Sequence, residues 1–243
     1  MAVQTVFERF ELKYMLTLDQ KEKILRVMEP YMKLDQYGRT TIRNLYYDTD
    51  DYRLVRKSIE RPVYKEKLRM RSYDRAGPDS TVFVELKKKF HSTVYKRRLP
   101  LPEQTAMAWL SGKSPPEEQG QIAREIEYFR GFYRTLKPAA FLSYEREAYY
   151  ALDGSDFRVT FDDTILCREA DLSLRAKPWG TPLLEDGKVL MELKCSGGVP
   201  LWLTRFLTRE RIFKTSFSKY GTAYQQIIYP RIQEEASYVQ SVV

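Results

Sequence analysis

Hydrophobic and polar positions alternate with a period of two through much of this chain, and the period lengthens to about 3.6 in a few intervening stretches. Residues 6–14 alternate as a strand, and Thr17-Leu18-Asp19-Gln20 then has capping-box spacing for a helix to about Tyr31, with Leu18, Ile24, Leu25 and Met28 as its apolar stripe. Residues 41–47 read as a second strand, and Asp48-Thr49-Asp50-Asp51 can cap a short helix through Ile59. Strands follow at 63–73, 81–90 and 93–99, the last two paired as a hairpin around His91 and Ser92. Residues 100–116 are turn-rich with a short helix at 103–110, and 117–136 form an amphipathic helix carrying Ile122, Ile126, Phe129 and Tyr133 on one side. A long strand at 139–152 turns through Asp153-Gly154-Ser155-Asp156 into another at 157–163. Residues 166–174 can continue the sheet, 177–187 form a loop, and 189–194 are the last clear strand. Helices near 201–210 and 219–233 follow, and 234–243 carries no assigned element.

Hairpin-linked strands with helices between them predict an α+β fold, and the absence of a linker or low-complexity segment predicts one domain over residues 1–243. The polar rows of the strands hold the chemistry. Glu-Leu-Lys occurs at 11–13, 85–87 and 192–194, and each copy puts a carboxylate and an ammonium on one side of a strand and a leucine on the other. Four other segments carry basic residues at the same spacing: Lys67, Arg69 and Arg71; Lys96 and Arg98; Arg146 with Tyr144; Arg158 with Thr160 and Asp162. The opposite rows are apolar, among them Leu12, Tyr14, Leu68, Met70, Val82, Val84, Leu86, Val189, Met191 and Leu193. For any single copy the plain reading is a solvated strand face. Taken together, the rows predict a closed antiparallel β tunnel with a charged interior and helices packed outside.

Composition narrows the partner. The formal charge is +8 and the sequence pI about 9.3, which suits an anion. So many interior cations repel unless an anion joins them, and a polyphosphate chain meets that demand, with arginine forks and lysine point charges sharing its oxygens. The glutamates Glu11, Glu85 and Glu192 then make sense as ligands of a hard divalent cation. Several alternatives fail. Ser111-Gly112-Lys113-Ser114 resembles the end of a P-loop, but Met107 stands where the first glycine is required. His91 is the single histidine, which removes multi-histidine zinc sites and leaves a Ser-His-Asp triad resting on one loop residue. Cys167 and Cys195 are too few for a disulfide framework, so a reducing cytoplasm is the expected home. Neither a signal peptide nor a membrane span is evident. Tyr46, Tyr47 and Tyr149 raise nucleic-acid binding, but no motif supports it, and no nucleic-acid partner is expected.

Phe10-Glu11-Leu12-Lys13-Tyr14, Tyr46-Tyr47-Asp48, Leu68-Arg69-Met70-Arg71, Val84-Glu85-Leu86-Lys87, Arg146 with Arg158, Glu192-Leu193-Lys194 and Phe217-Ser218-Lys219-Tyr220 occur in an informative order. In these residues the chain resembles the VTC-type polyphosphate polymerase domain, a branch of the triphosphate tunnel metalloenzymes. The resemblance implies an eight-stranded tunnel, ATP as phosphoryl donor, a Mn²⁺ or Mg²⁺ ion, and growth of an inorganic polyphosphate chain. It assigns Lys13, Arg69, Arg71, Lys87, Arg146, Arg158, Lys194 and Lys219 to phosphates, adds Lys96, and makes Glu192 the principal metal ligand. Two positions depart from the pattern. Hydrolase and cyclase relatives carry Glu-x-Glu-x-Lys on the first strand where this chain has Arg9-x-Glu11-x-Lys13, which favours the polymerase branch. Eukaryotic members place a lysine where Ser216 stands, which predicts weaker retention of a long product. The rival readings are a tunnel-type triphosphate hydrolase and a non-catalytic polyphosphate or inositol phosphate sensor. A membrane protein, if it exports the product, would have to recruit this chain.

Overall fold

The computed structural model describes residues 10–91, 93–113, 116 and 120–242, so Arg9, Ser92, Ser114 and Glu117 lie outside the described residues. The chain runs β1 (Phe10–Thr17), α1 (Leu18–Met28), β2 (Met32–Asp48), α2 (Arg53–Ile59), β3 (Tyr64–Tyr73), β4 (Thr81–Phe90), β5 (Thr93–Pro102), α3 (Glu103–Leu110) and α4 (Gln121–Phe132). It continues through β6 (Lys137–Ala151), β7 (Arg158–Arg168), β8 (Thr181–Pro182), β9 (Lys188–Cys195), α5 (Leu201–Arg209), α6 (Lys219–Ala223), a π-helical turn (Tyr224–Ile228) and α7 (Tyr229–Val242). All the strands form one antiparallel sheet in the order β1-β9-β7-β6-β2-β3-β4-β5, with the two-residue β8 on β7.

Lys87 on β4 reaches Glu11 on β1 with an Nζ–Oε2 distance of 3.1 Å, although those strands stand near opposite ends of the order. A flat sheet cannot bring them together, so the sheet rolls round on itself. No ladder joins β1 to β5 among the described residues. The free edge of β1 instead takes the strap 213–218: Thr215 N donates to Lys13 O at 2.7 Å, and Tyr14 bridges Lys214. The expected tunnel is therefore a rolled sheet whose seam is not closed by strand pairing.

The apolar rows face outward under helices, as the alternation predicts. On one side Leu68, Met70, Val84 and Leu86 pack with Trp109 of α3 and Ile126 and Phe129 of α4. On the other, Leu16, Phe161, Met191 and Leu193 pack with Ile24 and Met28 of α1 and with Leu203 and Phe206 of α5. A third cluster lies on the inner face, where Ile42, Tyr46, Leu142, Tyr144 and Leu190 meet Tyr220, Ala223 and Ile228. The C-terminal helices thus fill part of the lumen with apolar side chains, and the charged interior occupies the remainder.

Several elements differ from the sequence reading for local reasons. α1 ends at Met28, and Leu18 is 55% exposed: six residues round from Ile24, it lies about 120° off the buried stripe. β2 begins at Met32 because pairing with β6 carries it past a register shift between Leu34 and Arg39, where polar residues and Gly38 hide the strand period. β5 runs on to Pro102. α4 spans only Gln121–Phe132, and the extension expected at 166–174 stops at Arg168. Ser111 and Gly112 end α3, with Gly112 at φ 97°, so the P-loop lookalike is a helix stop. The last helix is broken by the π turn before Pro230, whose ring cannot follow an ordinary helical turn, and α7 then covers 234–242, where the sequence carries no apolar period.

Candidate functional site

The inner rows converge into two linked ion-pair clusters and one lysine-lined cavity. In the first cluster Glu85, 1% exposed, accepts from Arg69 Nε at 2.8 Å and Arg98 Nε at 2.7 Å and pairs with Lys96 Nζ at 2.7 Å. Burial drives its pKa up, but Arg69, Arg71, Lys96 and Arg98 outweigh that and hold it well below the carboxylate range. Arg71 is fixed from behind, donating Nε to Asn44 Oδ1 at 2.9 Å and Nη2 to Tyr144 OH at 3.2 Å. Arg69 Nη1 donates to Tyr46 OH at 3.1 Å, and Tyr46 stacks on Tyr220 at 4.7 Å. These arginine forks are held before any ligand arrives.

The second cluster centres on Asp162 and Glu192. Arg146 grips Asp162 bidentately, Nε to Oδ1 at 2.5 Å and Nη2 to Oδ2 at 2.6 Å. Lys219 Nζ lies 2.5 Å from Asp162 Oδ2 and 3.2 Å from Glu192 Oε1. Lys13 at 3.4 Å, Arg146 at 3.4 Å and Lys194 at 3.7 Å complete the shell of Glu192. Burial raises both carboxyl pKa values, but the surrounding cations prevail and both stay ionised. The same field acts on Tyr144, whose burial is outweighed by Arg71, Arg146 and Lys219, so its phenol falls to about 8.

Two carboxylates from neighbouring strands that share one ammonium define a point able to hold a divalent cation. No third His, Cys, Asp or Glu joins them among the described residues. A two-carboxylate donor set fits Mg²⁺ or Mn²⁺ that takes its other ligands from substrate phosphates and water. Glu85 sits wholly among cations, and Glu11 faces Lys87, with Lys87 and Lys194 overcoming burial to bring its carboxyl to about 2. Of the residues expected at the site, only Arg158 stands apart: it is exposed at the end of β7 beside Lys194 and makes no ion pair among the described residues. Asp162, Arg98, Asn44, Tyr46 and Tyr144 were not assigned to the site. Asp162 and Arg98 share rows with expected members, so alternation was the available signal, whereas Asn44 depends on its register opposite Arg71.

The motif ends also interlock. Asp48 is buried and accepts from the backbone N–H groups of Leu54 and Val55, capping α2, and from Tyr220 OH at 3.0 Å. It therefore pins α6, and with it Lys219, against the sheet. Tyr46 and Tyr47 are buried, which uses their rings for packing.

The cavity, of about 480 Å³, is lined by Lys13, Lys65, Lys67, Lys87, Lys89 and Lys214 with the strap 214–218 as one wall. Lys67 Nζ donates to Ser218 Oγ at 3.0 Å, and Lys13 Nζ donates to Phe217 O at 2.7 Å. Burial and then Lys65, Lys87, Lys13 and Arg69 push the Lys67 ammonium down from 10.5 to about 7. The unfolded chain binds this proton more tightly, so the group weakens the fold fully below pH 7 and the penalty fades as pH rises from 7 toward 10.5. Lys67→Met is expected to raise the melting temperature at pH 6.5 and to flatten the gain in stability between pH 7 and 10. A lower melting temperature across that range would show that the charge is compensated.

The sequence profile of the VTC domain matches residues 8–228. The chain belongs to the VTC domain family. No curated protein matches it. Among solved structures, this VTC domain is similar to a candidate adenylate cyclase of Bacillus halodurans at 14% identity and TM-score 0.55, covering 88% of this chain and 96% of that one. It is also similar to a candidate adenylyl cyclase of Hippeastrum described as having a dominant triphosphatase activity, at 15% identity and TM-score 0.53, covering 89% and 95%. These likenesses extend the shared fold beyond the VTC family.

Proposed function

We propose that this VTC domain is a metal-dependent polyphosphate polymerase that moves the γ-phosphate of ATP onto the end of an inorganic polyphosphate chain. The observation that carries the reading is the state of the carboxylates: Glu85, Asp162, Glu192 and Glu11 are each bound to cations and held below their usual range. Such groups are poor bases for activating water. A chain terminus needs none, because its oxygen is already ionised. Its lone pair forms a bond to the γ-phosphorus, the bond from that phosphorus to the β–γ bridging oxygen breaks, and ADP leaves with the electron pair.

Positioning and charge then do the catalysis. Arg69, Arg71 and Arg146 supply planar forks to phosphate oxygens, and Lys13, Lys87, Lys96, Lys194 and Lys219 supply point charges, with Arg158 at the rim. Glu192 and Asp162 would hold Mn²⁺ or Mg²⁺, which when bound would neutralise phosphate charge. Lys219 serves both states, since with Arg146 it balances the two carboxylates in the unliganded protein and can turn to phosphate when a metal ion engages them. The fold shared with the Hippeastrum triphosphatase supports a triphosphate as donor.

Incubation of the pure protein with ATP and Mn²⁺, followed by electrophoresis with a polyphosphate stain, tests the reading. A ladder that lengthens with time is expected. Release of orthophosphate alone from ATP or tripolyphosphate would replace it with the hydrolase reading.

A further inference from the structure

One buried polar atom beside the carboxylates has no part in either cluster. Thr160 is 3% exposed, and its hydroxyl has no hydrogen-bond partner among the described residues. It stands on the inner row of β7 between Arg158 and Asp162, while Val159 and Phe161 turn outward into the core under α1 and α5. In the sheet it lies opposite Glu192 on β9 and opposite Ala148 on β6. An alanine side chain has no polar atom, so of these two cross-strand neighbours only Glu192 can meet a hydroxyl with its side chain. Valine would give β7 the same branched shape without burying a polar group that lacks a partner, which costs stability.

The surroundings of Glu192 explain why the hydroxyl is idle. Its Oε1 is met by Lys13 at 3.4 Å and Lys219 at 3.2 Å, and its Oε2 by Arg146 at 3.4 Å and Lys194 at 3.7 Å. Four cations attract the carboxylate more strongly than a neutral hydroxyl does. A divalent ion bound by Glu192 and Asp162 reverses this order, because it repels the ammonium and guanidinium groups around it. A carboxylate that ligates a metal is itself held by a hydrogen bond, and here the donor best suited is one that carries no charge. The hydroxyl facing Glu192 across the ladder is such a donor.

We propose that Thr160 is a positioning residue for the divalent cation at Asp162 and Glu192: in the ion-bound protein its hydroxyl donates to the Glu192 carboxylate and fixes the direction in which that carboxylate turns. This rests on the assignment of Glu192 and Asp162 to the cation, and it holds whether the phosphate acceptor is a chain end or water. Loss of the hydroxyl should weaken ion binding while leaving the unliganded fold intact.

The test is titration of Mn²⁺ into the full protein without nucleotide or phosphate, following free Mn²⁺ by electron paramagnetic resonance, with melting temperatures taken in EDTA. Wild type is compared with Thr160→Val, Thr160→Ser and Glu192→Gln. The valine variant should bind Mn²⁺ about tenfold more weakly or worse. In EDTA it should melt at or above the wild-type temperature, since it no longer buries an unpartnered hydroxyl. The serine variant keeps the hydroxyl and should bind Mn²⁺ as the wild type does. Wild-type affinity in the valine variant, a serine variant as weak as the valine one, or a valine variant that melts well below wild type in EDTA would each overturn the role of Thr160 and leave the ion assignment standing. A wild type that does not bind Mn²⁺, or a Glu192→Gln protein that binds it as tightly as wild type, would remove the ion assignment itself and the proposal with it.

Discussion

Asp162→Ala is expected to lower the melting temperature by roughly 6–20 °C, measured by differential scanning calorimetry at neutral pH. Asp162 is fully buried and takes both nitrogen contacts of Arg146 and the ammonium of Lys219. Removing it leaves the Arg146 guanidinium and the Lys219 ammonium sharing Glu192 alone, at 3.4 and 3.2 Å, so one of two largely buried cations loses its counter-charge. Breaking a buried pair in this way costs about 3–5 kcal/mol, because a buried charge loses its partner and cannot regain water. Asp162→Asn keeps the shape and part of the hydrogen bonding and should fall less. A melting temperature within about 2 °C of wild type for the alanine variant would mean that water enters the lumen freely enough to solvate both cations.

Glu192→Gln should reduce polymer formation from ATP by at least about a hundredfold at saturating metal, equivalent to roughly 2.7 kcal/mol of transition-state stabilisation. The same substitution should leave metal-free tripolyphosphate binding equal or tighter. The sign follows from charge: Glu192 neutralises Lys13, Lys194, Lys219 and Arg146 in the unliganded protein, and glutamine releases those cations to an anion. Opposite movements of turnover and metal-free affinity separate an enzyme from a sensor. Parallel loss of both would assign Glu192 a structural role.

Much of this site was legible because strands have a period of two. Glu85, Lys87, Arg69 and Arg71 could be placed on one face from spacing alone, and the buried state of Leu68, Met70, Val84 and Leu86 on the other face bears that out. Two things could not be read. Register decides that Asp162 stands opposite Arg146 and Asn44 opposite Arg71, and pairing between segments far apart in the chain leaves no mark on either one. The plugging of the lumen is also non-local, since Tyr46 and Tyr144 alternate with their neighbours as any strand residue would, yet they meet Tyr220 and its helix inside the sheet. The strap 213–218 carries no periodic pattern at all. Its place is fixed by backbone bonds to Lys13 and Tyr14 on β1.

The proposed reaction passes γ-phosphate to a chain end rather than to water. The most direct measurement is ³¹P NMR of ATP incubated with the protein and Mg²⁺, following ADP, orthophosphate and mid-chain phosphate together. Mid-chain phosphate is expected to grow in step with ADP while orthophosphate stays near background. Orthophosphate rising in equal amount with ADP, with no mid-chain signal, would contradict it.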